Sequence, residues 1–426
     1  MKQLFFLVAL AISTSIFSQK VITDNINSTF FKKGRSVKIY IPKNYEKDET
    51  TQYPLAIVLG SQYLFDMYVG NAKLYANTDK APRQIVVGID MENTYKKDIS
   101  IIPSNNALTN TAKKFQKFIK KELVPYMELN YRTSPFMTIA AEGKAANFST
   151  YFLKDAEPLF NAFICITPQF TKFSASAIQS YSLGRLTQKD NTYFLYTSNN
   201  KKYINPKQQE YFSEISAFLA SFEAKNLHIT FDKFENAPSY LSVIGETIPR
   251  AFEKMFYLYA KITKSEFDQK IKDLDPLEAI KYVEQKYLDI QYLYGSNLNV
   301  RLEDIFAIEN IVIDKQDGDY LRVLGDFVMI KYPNSHIGDF YVGKYHELGK
   351  AYDKAEFYYK AAFGKMNPSD PNANAFYENI KRVTSLKESQ PKEEALPEDN
   401  LEENLDDNPE ENPEDNNNEN NEDNGE

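Results

Sequence analysis

The chain has 426 residues and 42% hydrophobic content, which is enough for two domains with packed cores. Its formal net charge is −9, but residues 393–426 carry sixteen Asp or Glu and no Lys or Arg; subtracting those charges leaves +7 for the rest. The rest of the chain is only mildly basic, which argues against nucleic-acid binding. The sequence has no Cys or His cluster with the spacing of a metal site and no Gly-rich phosphate-binding loop, so we expect neither a metal nor a cofactor.

Residues 1–19, MKQLFFLVALAISTSIFSQ, have the pattern of a cleaved secretory signal peptide: one Lys, an apolar run and small residues at the end. The run is short for a permanent membrane span, so we favour cleavage over a retained anchor and expect no transmembrane segment. No Cys follows as a lipid attachment site, and the single Cys165 lies in the apolar run AFICITP, as a core residue would. The sequence predicts a periplasmic or secreted protein.

Residues 20–264 alternate short apolar runs with amphipathic stretches. The runs are rich in Val, Ile, Phe and Tyr, which is typical of parallel strands buried on both faces. They read SVKIYIP, PLAIVLG, QIVVGID, FMTIAAEG, AFICITP, YFLYTSN and LHITFDKF. A long amphipathic helix begins near Thr109 in TNTAKKFQKFIKKELVPYMELNY. The pattern predicts an α/β sheet domain.

Residues 265–385 show only helical patterns. In GKYHELGKAYDKAEFYYKAAFGKMNP, Gly343, Ala355, Tyr359 and Ala362 stand at the offsets of packing residues in a tetratricopeptide repeat, and Pro368 closes the unit. An ordinary helical hairpin also needs small residues where its helices cross closely, so that interpretation stays open. We expect repeat-like helix pairs.

Residues 386–426 are predicted to be a disordered acidic tail. Much of it repeats two acids, an Asn, then Leu or Pro, and such a composition buries too little apolar surface to offset its ordering entropy. The favoured interpretation is a solvating tail, and the alternatives are a docking arm for a basic partner or weak calcium association.

The stretch TIAAEGKAANFST, residues 138–150, reads as a strand, a turn and a helix. In α/β-hydrolases this junction carries G-x-S-x-G, whose serine sits on a sharp turn. Here the five positions are Ala141, Glu142, Gly143, Lys144 and Ala145, so Gly143 stands in place of the serine. The small residues are kept and the nucleophilic oxygen is missing.

Three further stretches carry a resemblance to the esterase D and enterochelin-esterase-like branch of the α/β-hydrolases. GSQYLFDMYVGN resembles that family's oxyanion-side loop, with Gly60-Ser61 in place of an expected Asp-Gly. IVVGIDMENTYKKDIS resembles a strand followed by its Arg-Asp-x-Thr-like motif, and FIKKELVPYMELNYRTSPF the helix before the turn. Some members of the family carry helical repeats after the hydrolase domain.

The resemblance implies a Ser-His-acid triad, and this sequence departs from it at each member. The nucleophile maps to Gly143. The base maps to Tyr240 in SYLSVIGETIPRAF, and the acid falls near Asn199 and Asn200. The only histidines, His228, His336 and His346, lie in a predicted strand and in the helical region. The triad is therefore predicted to be lost.

An alternative is an active serine-type ester or thioester hydrolase with a non-standard site. Ser61 is then the best replacement nucleophile, because it follows a strand at the mouth of the expected cleft, but a serine without a nearby base is weakly nucleophilic. Glu142 and Lys144 flank Gly143, and a salt bridge or solvent exposure is their expected role.

The favoured hypothesis is an esterase-like pseudoenzyme that works as a binding or scaffolding protein. A cleft at the carboxyl ends of the strands could hold a small ligand, and helical repeats offer a surface for a protein or peptide partner. We expect Tyr341, Lys344 and Lys360 on that surface. The alternative is that the helical region only packs on the hydrolase domain, with its aromatic residues in the core.

Removal of the chain beyond Glu393 should leave the melting temperature nearly unchanged, because a solvated acidic segment makes few packed contacts. Differential scanning calorimetry of the full-length and truncated proteins measures this. A loss of several degrees on truncation would instead show that the segment docks on the folded body.

Overall fold

A computed structural model describes residues 20–155, 157–178, 186, 191–221, 224–314, 318–367 and 369–390. The predicted signal peptide, Pro368 and residues 391–426 lie outside the described residues. Within them, no helix is long and apolar enough to cross a membrane.

The described residues form an eight-stranded sheet in the order β1-β2-β4-β3-β5-β6-β7-β8. The strands are Lys20–Ser28 (β1), Lys33–Ile41 (β2), Tyr53–Leu59 (β3), Ile85–Ile89 (β4), Thr133–Glu142 (β5), Ala162–Ile166 (β6), Tyr193–Asn199 (β7) and Leu227–Lys233 (β8). From β4 to β8 the pairing is parallel, so the carboxyl ends of these strands meet at one edge of the sheet. The prediction of an α/β sheet is confirmed.

The first two strands correct the prediction of an all-parallel sheet. β2 pairs antiparallel with both β1 and β4, and β1 had not been recognised as a strand. In KVITDNINS the buried side chains are sparse, because β1 is an edge strand with one face in solvent. Such a strand lacks the continuous apolar run that identified the others.

Helices cover both faces of the sheet. They are Gln62–Asn77 (α1), Tyr95–Asp98 (α2), Asn110–Phe118 (α3), Val124–Asn130 (α4), Gly143–Ser149 (α5), Lys172–Ala177 (α6), Pro206–Ala220 (α7) and Tyr240–Met255 (α8). The predicted long helix starts where expected, since the Thr109 side chain accepts a hydrogen bond from the Ala112 N–H. A π-helical turn, Ile119–Leu123, joins α3 to α4.

The second region is entirely helical in its described residues. Its helices are Lys264–Lys270 (α9), Pro276–Tyr294 (α10), Leu302–Asp314 (α11), Asp319–Lys331 (α12), His336–Leu348 (α13), Tyr352–Lys365 (α14) and Ala373–Glu388 (α15). The last helix continues three residues past the predicted boundary at residue 385.

Helices α10 to α12 share one hydrophobic core with the sheet domain. The Tyr294 hydroxyl donates to the Met255 carbonyl at 2.6 Å, and its ring lies 5.2 Å from that of Phe136 in β5. Arg301 donates to the Tyr259 carbonyl at 2.7 Å. Because Phe136 lies near the start of β5, the helical region packs at the amino ends of the parallel strands, opposite to the edge where they end.

Close crossings join the last helices. A Cβ on Gly343 of α13 would lie 2.7 Å from the Tyr359 ring of α14, so only glycine allows this approach. Ala355, Tyr359 and Ala362 are buried, as their predicted packing role requires. This geometry suits a helical hairpin of any kind, and the assignment to tetratricopeptide repeats stays a prediction.

A buried ion pair holds the loop after β4. Arg35 of β2 contacts the Asp98 carboxylate at 2.5 Å, and the Thr94 hydroxyl donates to the same group at 2.6 Å. The guanidinium also lies 5.1 Å from the centre of the Phe115 ring. Both charged side chains are almost fully buried, so neither would be solvated if its partner were removed.

Replacement Asp98→Ala should therefore lower the free energy of unfolding by about 3–5 kcal/mol, the cost of leaving a buried charge unpaired. The control Glu46→Ala, which breaks the exposed pair with Lys20, should cost less than about 1 kcal/mol. Urea unfolding followed by circular dichroism compares the two. Equal losses would mean that the Arg35–Asp98 pair is not buried as described.

Candidate functional site

The turn between β5 and α5 has the geometry of a nucleophile elbow. β5 ends at Glu142, α5 begins at Gly143, and Gly143 has φ +54°, a left-handed conformation that favours glycine. A Cβ built on Gly143 would have open space, with the Gln169 Nε2 at 3.9 Å and the Tyr240 hydroxyl at 4.0 Å as its nearest neighbours. The position points into the site and bears no reactive atom.

The position expected for the base holds a phenol. Tyr240 is the first residue of α8. Burial raises the pKa of its hydroxyl, and the charge of Glu142 and a hydrogen bond to that residue raise it further. A tyrosine that holds its proton cannot accept one from a serine. All three histidines of the sequence lie elsewhere: His228 stacks on Phe194 at the amino end of β8, and His336 and His346 pack in α13.

The position expected for the acid is neutral. Asn200 is buried and structural, because its amide donates to the Phe234 carbonyl at 2.7 Å and its oxygen accepts from the Lys202 N–H at 2.9 Å. The neighbouring Asn199 Oδ1 is buried and has no hydrogen-bond partner in the described part of the chain. Neither amide could stabilise an imidazolium as a carboxylate does.

Ser61 and Glu142, which are 81 positions apart, meet at this edge of the sheet. The Ser61 Oγ donates to the Glu142 Oε1 at 2.5 Å, and the Ser61 backbone N–H donates to the same oxygen at 3.0 Å. The Tyr63 hydroxyl makes a longer contact of 3.4 Å with Oε2. The Glu142 carboxylate therefore lies against the loop after β3, whose sequence resembles an oxyanion-side loop.

This arrangement corrects the expected role of Glu142. Its side chain is only 6% exposed, whereas Lys144 is exposed, so the two point apart and form no ion pair. Glu142 also lies at the amino end of α1, a helix with no acid in its first turn and no capping hydrogen bond from Ser61. The helix dipole favours a negative charge at that end.

The sequence predicts that Ser61 lies at the cleft, but it does not predict the contact with Glu142. A signal was present, because β3 and β5 were both predicted as parallel strands and the carboxyl ends of neighbouring parallel strands meet. The order of strands in the sheet, which makes β3 and β5 direct neighbours, was the missing fact.

A cleft of about 770 Å³ opens beside this pair. Its lining includes the carboxylates of Asp90, Glu92 and Glu142, the ammonium of Lys38 and the aromatic rings of Tyr63, Phe65 and Tyr95. Burial raises the pKa of Tyr95 to about 12, although a hydrogen bond from the Ala145 N–H opposes the rise. The tyrosines are thus neutral, and the charged lining is predominantly acidic.

The predicted surface on the helical region is only partly formed. Tyr341 is fully buried and its hydroxyl donates to Glu309 at 2.9 Å, so the expectation that it contacts a partner is corrected. Its neighbour Val342 on α13 is fully buried as well. Lys344 is half-buried, and Lys360 is exposed and pairs with Glu356 at 2.6 Å.

Comparisons with known proteins agree with this fold. A family model described as "Putative esterase" matches residues 28–149, which end within α5 just after the elbow. No protein of curated function matches the sequence. The chain resembles the crystal structure of an uncharacterised protein from Capnocytophaga ochracea, with a TM-score of 0.73 and 21% identity over 86% of this chain and 100% of that one.

A second similar structure is an IroE-like serine hydrolase from Shewanella oneidensis, with a TM-score of 0.52 and 17% identity over 72% of this chain and 98% of that one. At these identities the likeness concerns the fold alone. The chain has an α/β-hydrolase sheet domain with an esterase-type sequence match, followed by an all-helical region.

Replacement Gly143→Ser should give a folded protein that loses about 1–2 kcal/mol, the cost of a side chain in a left-handed conformation with free space around it. The control Gly343→Ser should cost more, about 3 kcal/mol, because its Cβ would overlap the buried Tyr359 ring. Thermal unfolding measures both. A loss at Gly143 as large as that at Gly343 would contradict the open elbow.

Proposed function

We propose that this chain is a non-hydrolytic, esterase-like binding protein that acts outside the cytoplasm. One observation carries the proposal: the elbow residue is Gly143, and its missing side chain would face a phenol, that of Tyr240, instead of an imidazole. The proposed location rests on the signal-peptide pattern of residues 1–19.

The electrostatics at Ser61 argue against the alternative of an unusual serine hydrolase. An oxyanion bound at the Ser61 N–H would lie beside the Glu142 carboxylate, and two like charges about 4 Å apart repel by about 4 kcal/mol in a partly buried site. That repulsion is as large as the roughly 3–4 kcal/mol by which a good oxyanion donor stabilises the transition state.

Proton transfer does not remove the obstacle. If Glu142 accepted the Ser61 proton, its charge would disappear, but its Oε1 would still occupy the N–H that the developing oxyanion needs. Ser61 thus has a proton acceptor and lacks the free donor that completes an ester hydrolase.

The cleft favours a neutral or cationic ligand. Three carboxylates and one ammonium line it, so an anionic ligand would meet net repulsion, whereas the rings of Tyr63, Phe65 and Tyr95 offer apolar and cation–π contacts. A protein or peptide partner is proposed for the helical region. Its helix α14 exposes the aromatic side chain of Phe357 and the ammonium of Lys360.

The test is incubation of the purified protein with a fluorophosphonate probe and with activated short-chain esters. We expect no stoichiometric serine labelling, and ester turnover no higher than that of Ser61→Ala. Ser239→Ala serves as the matched control, because Ser239 also lies at this edge of the sheet, where it caps α8. Labelling that Ser61→Ala abolishes and Ser239→Ala leaves intact would establish the hydrolase alternative.

A further inference from the structure

Glu142 is an unusual buried charge. The residue as a whole is only 6% exposed, and it forms no ion pair with a Lys, Arg or His of the described residues. Burying a carboxylate is costly unless hydrogen bonds replace its water. Here the Ser61 N–H, the Ser61 hydroxyl and the hydroxyls of Tyr63 and Tyr240 supply those bonds.

The neighbouring loop is shaped for this group. Gly60 has φ +143°, and a Cβ on it would lie 3.0 Å from both the Cγ and the Oε1 of Glu142. Glycine therefore meets two requirements at once, an unusual backbone conformation and room for the carboxylate. Since Ser61 turns its hydroxyl towards Glu142 instead of capping α1, the loop and the first turn of α1 form a receptor around a carboxylate.

We propose that the Gly60-Ser61 loop is a carboxylate-binding site and that Glu142 is its built-in occupant. The side chain fills the place that the oxygen of a carbonyl compound would take, and so it closes the site to external ligands. When the side chain is truncated, the same donors should accept a small monocarboxylate such as acetate. This inference concerns the donors around Ser61 and does not depend on which ligand the larger cleft binds.

The test compares Glu142→Ala with wild type and with Glu142→Gln. The glutamine keeps the length of the side chain and an oxygen that accepts from the Ser61 N–H, so it should keep the site filled. Thermal unfolding is measured in sodium acetate and in sodium chloride at equal ionic strength. A ligand that binds only the folded state raises the melting temperature as its concentration passes Kd.

We expect acetate to raise the melting temperature of Glu142→Ala by several degrees more than chloride does, with a dependence on concentration that saturates. Wild type and Glu142→Gln should respond equally to both salts. In an amide NMR spectrum of Glu142→Ala, acetate should shift the Ser61 resonance. If acetate stabilises Glu142→Ala no more than it stabilises wild type, the loop is not a carboxylate site.

A folding defect in Glu142→Ala would still give an answer. The variant can be refolded from urea in acetate and in chloride, and the proposal requires a higher yield of folded protein in acetate alone. Equal yields in the two salts would overturn it. Neither result depends on ester turnover, so failure here is separate from failure of the proposed non-hydrolytic function, which the serine labelling tests.

Discussion

The site depends on one buried carboxylate. Glu142 ends the central strand β5, and its oxygens are satisfied by donors of the loop after the neighbouring strand β3. Because unpaired burial of that charge would be costly, the conformations of Gly60, Ser61 and the start of α1 are fixed by it. The interaction that stabilises this edge of the sheet is also the one that fills the place of an oxyanion.

The turn at Gly143 has the shape of a nucleophile elbow and carries no side chain. Gly143 has the left-handed backbone that a serine would have to adopt under strain, and the Tyr240 hydroxyl lies 4.0 Å from the place of a Cβ on this residue. A glycine adopts this conformation without that strain. The turn therefore persists as a structural junction between β5 and α5, and its conformation alone is no sign of catalysis.

Much of the sheet domain could be predicted because strands that are buried on both faces appear in the sequence as continuous apolar runs. β1 could not, because its exposed face breaks the run, and the antiparallel pairing of β2 has no local signature. That Gly143 stands at the position expected for the serine, and Tyr240 at the position expected for the histidine, could be predicted from the sequence alone. The contact between Ser61 and Glu142 could not, since it depends on strand order, and the burial of Tyr341 depends on which face of α13 turns inward.

The cleft and the contact between the sheet domain and the helical region lie at opposite ends of the parallel strands, and α8 runs between them. Its first residue, Tyr240, faces the elbow, and its last, Met255, accepts the hydrogen bond from Tyr294 of the helical region. A ligand in the cleft would therefore lie away from the contact between α8 and the helical region. Coupling between them would require α8 to have two arrangements, and its buried face against the sheet, from Val243 to Phe252, resists such a shift. This packing favours a cleft whose occupation leaves the contact with the helical region unchanged.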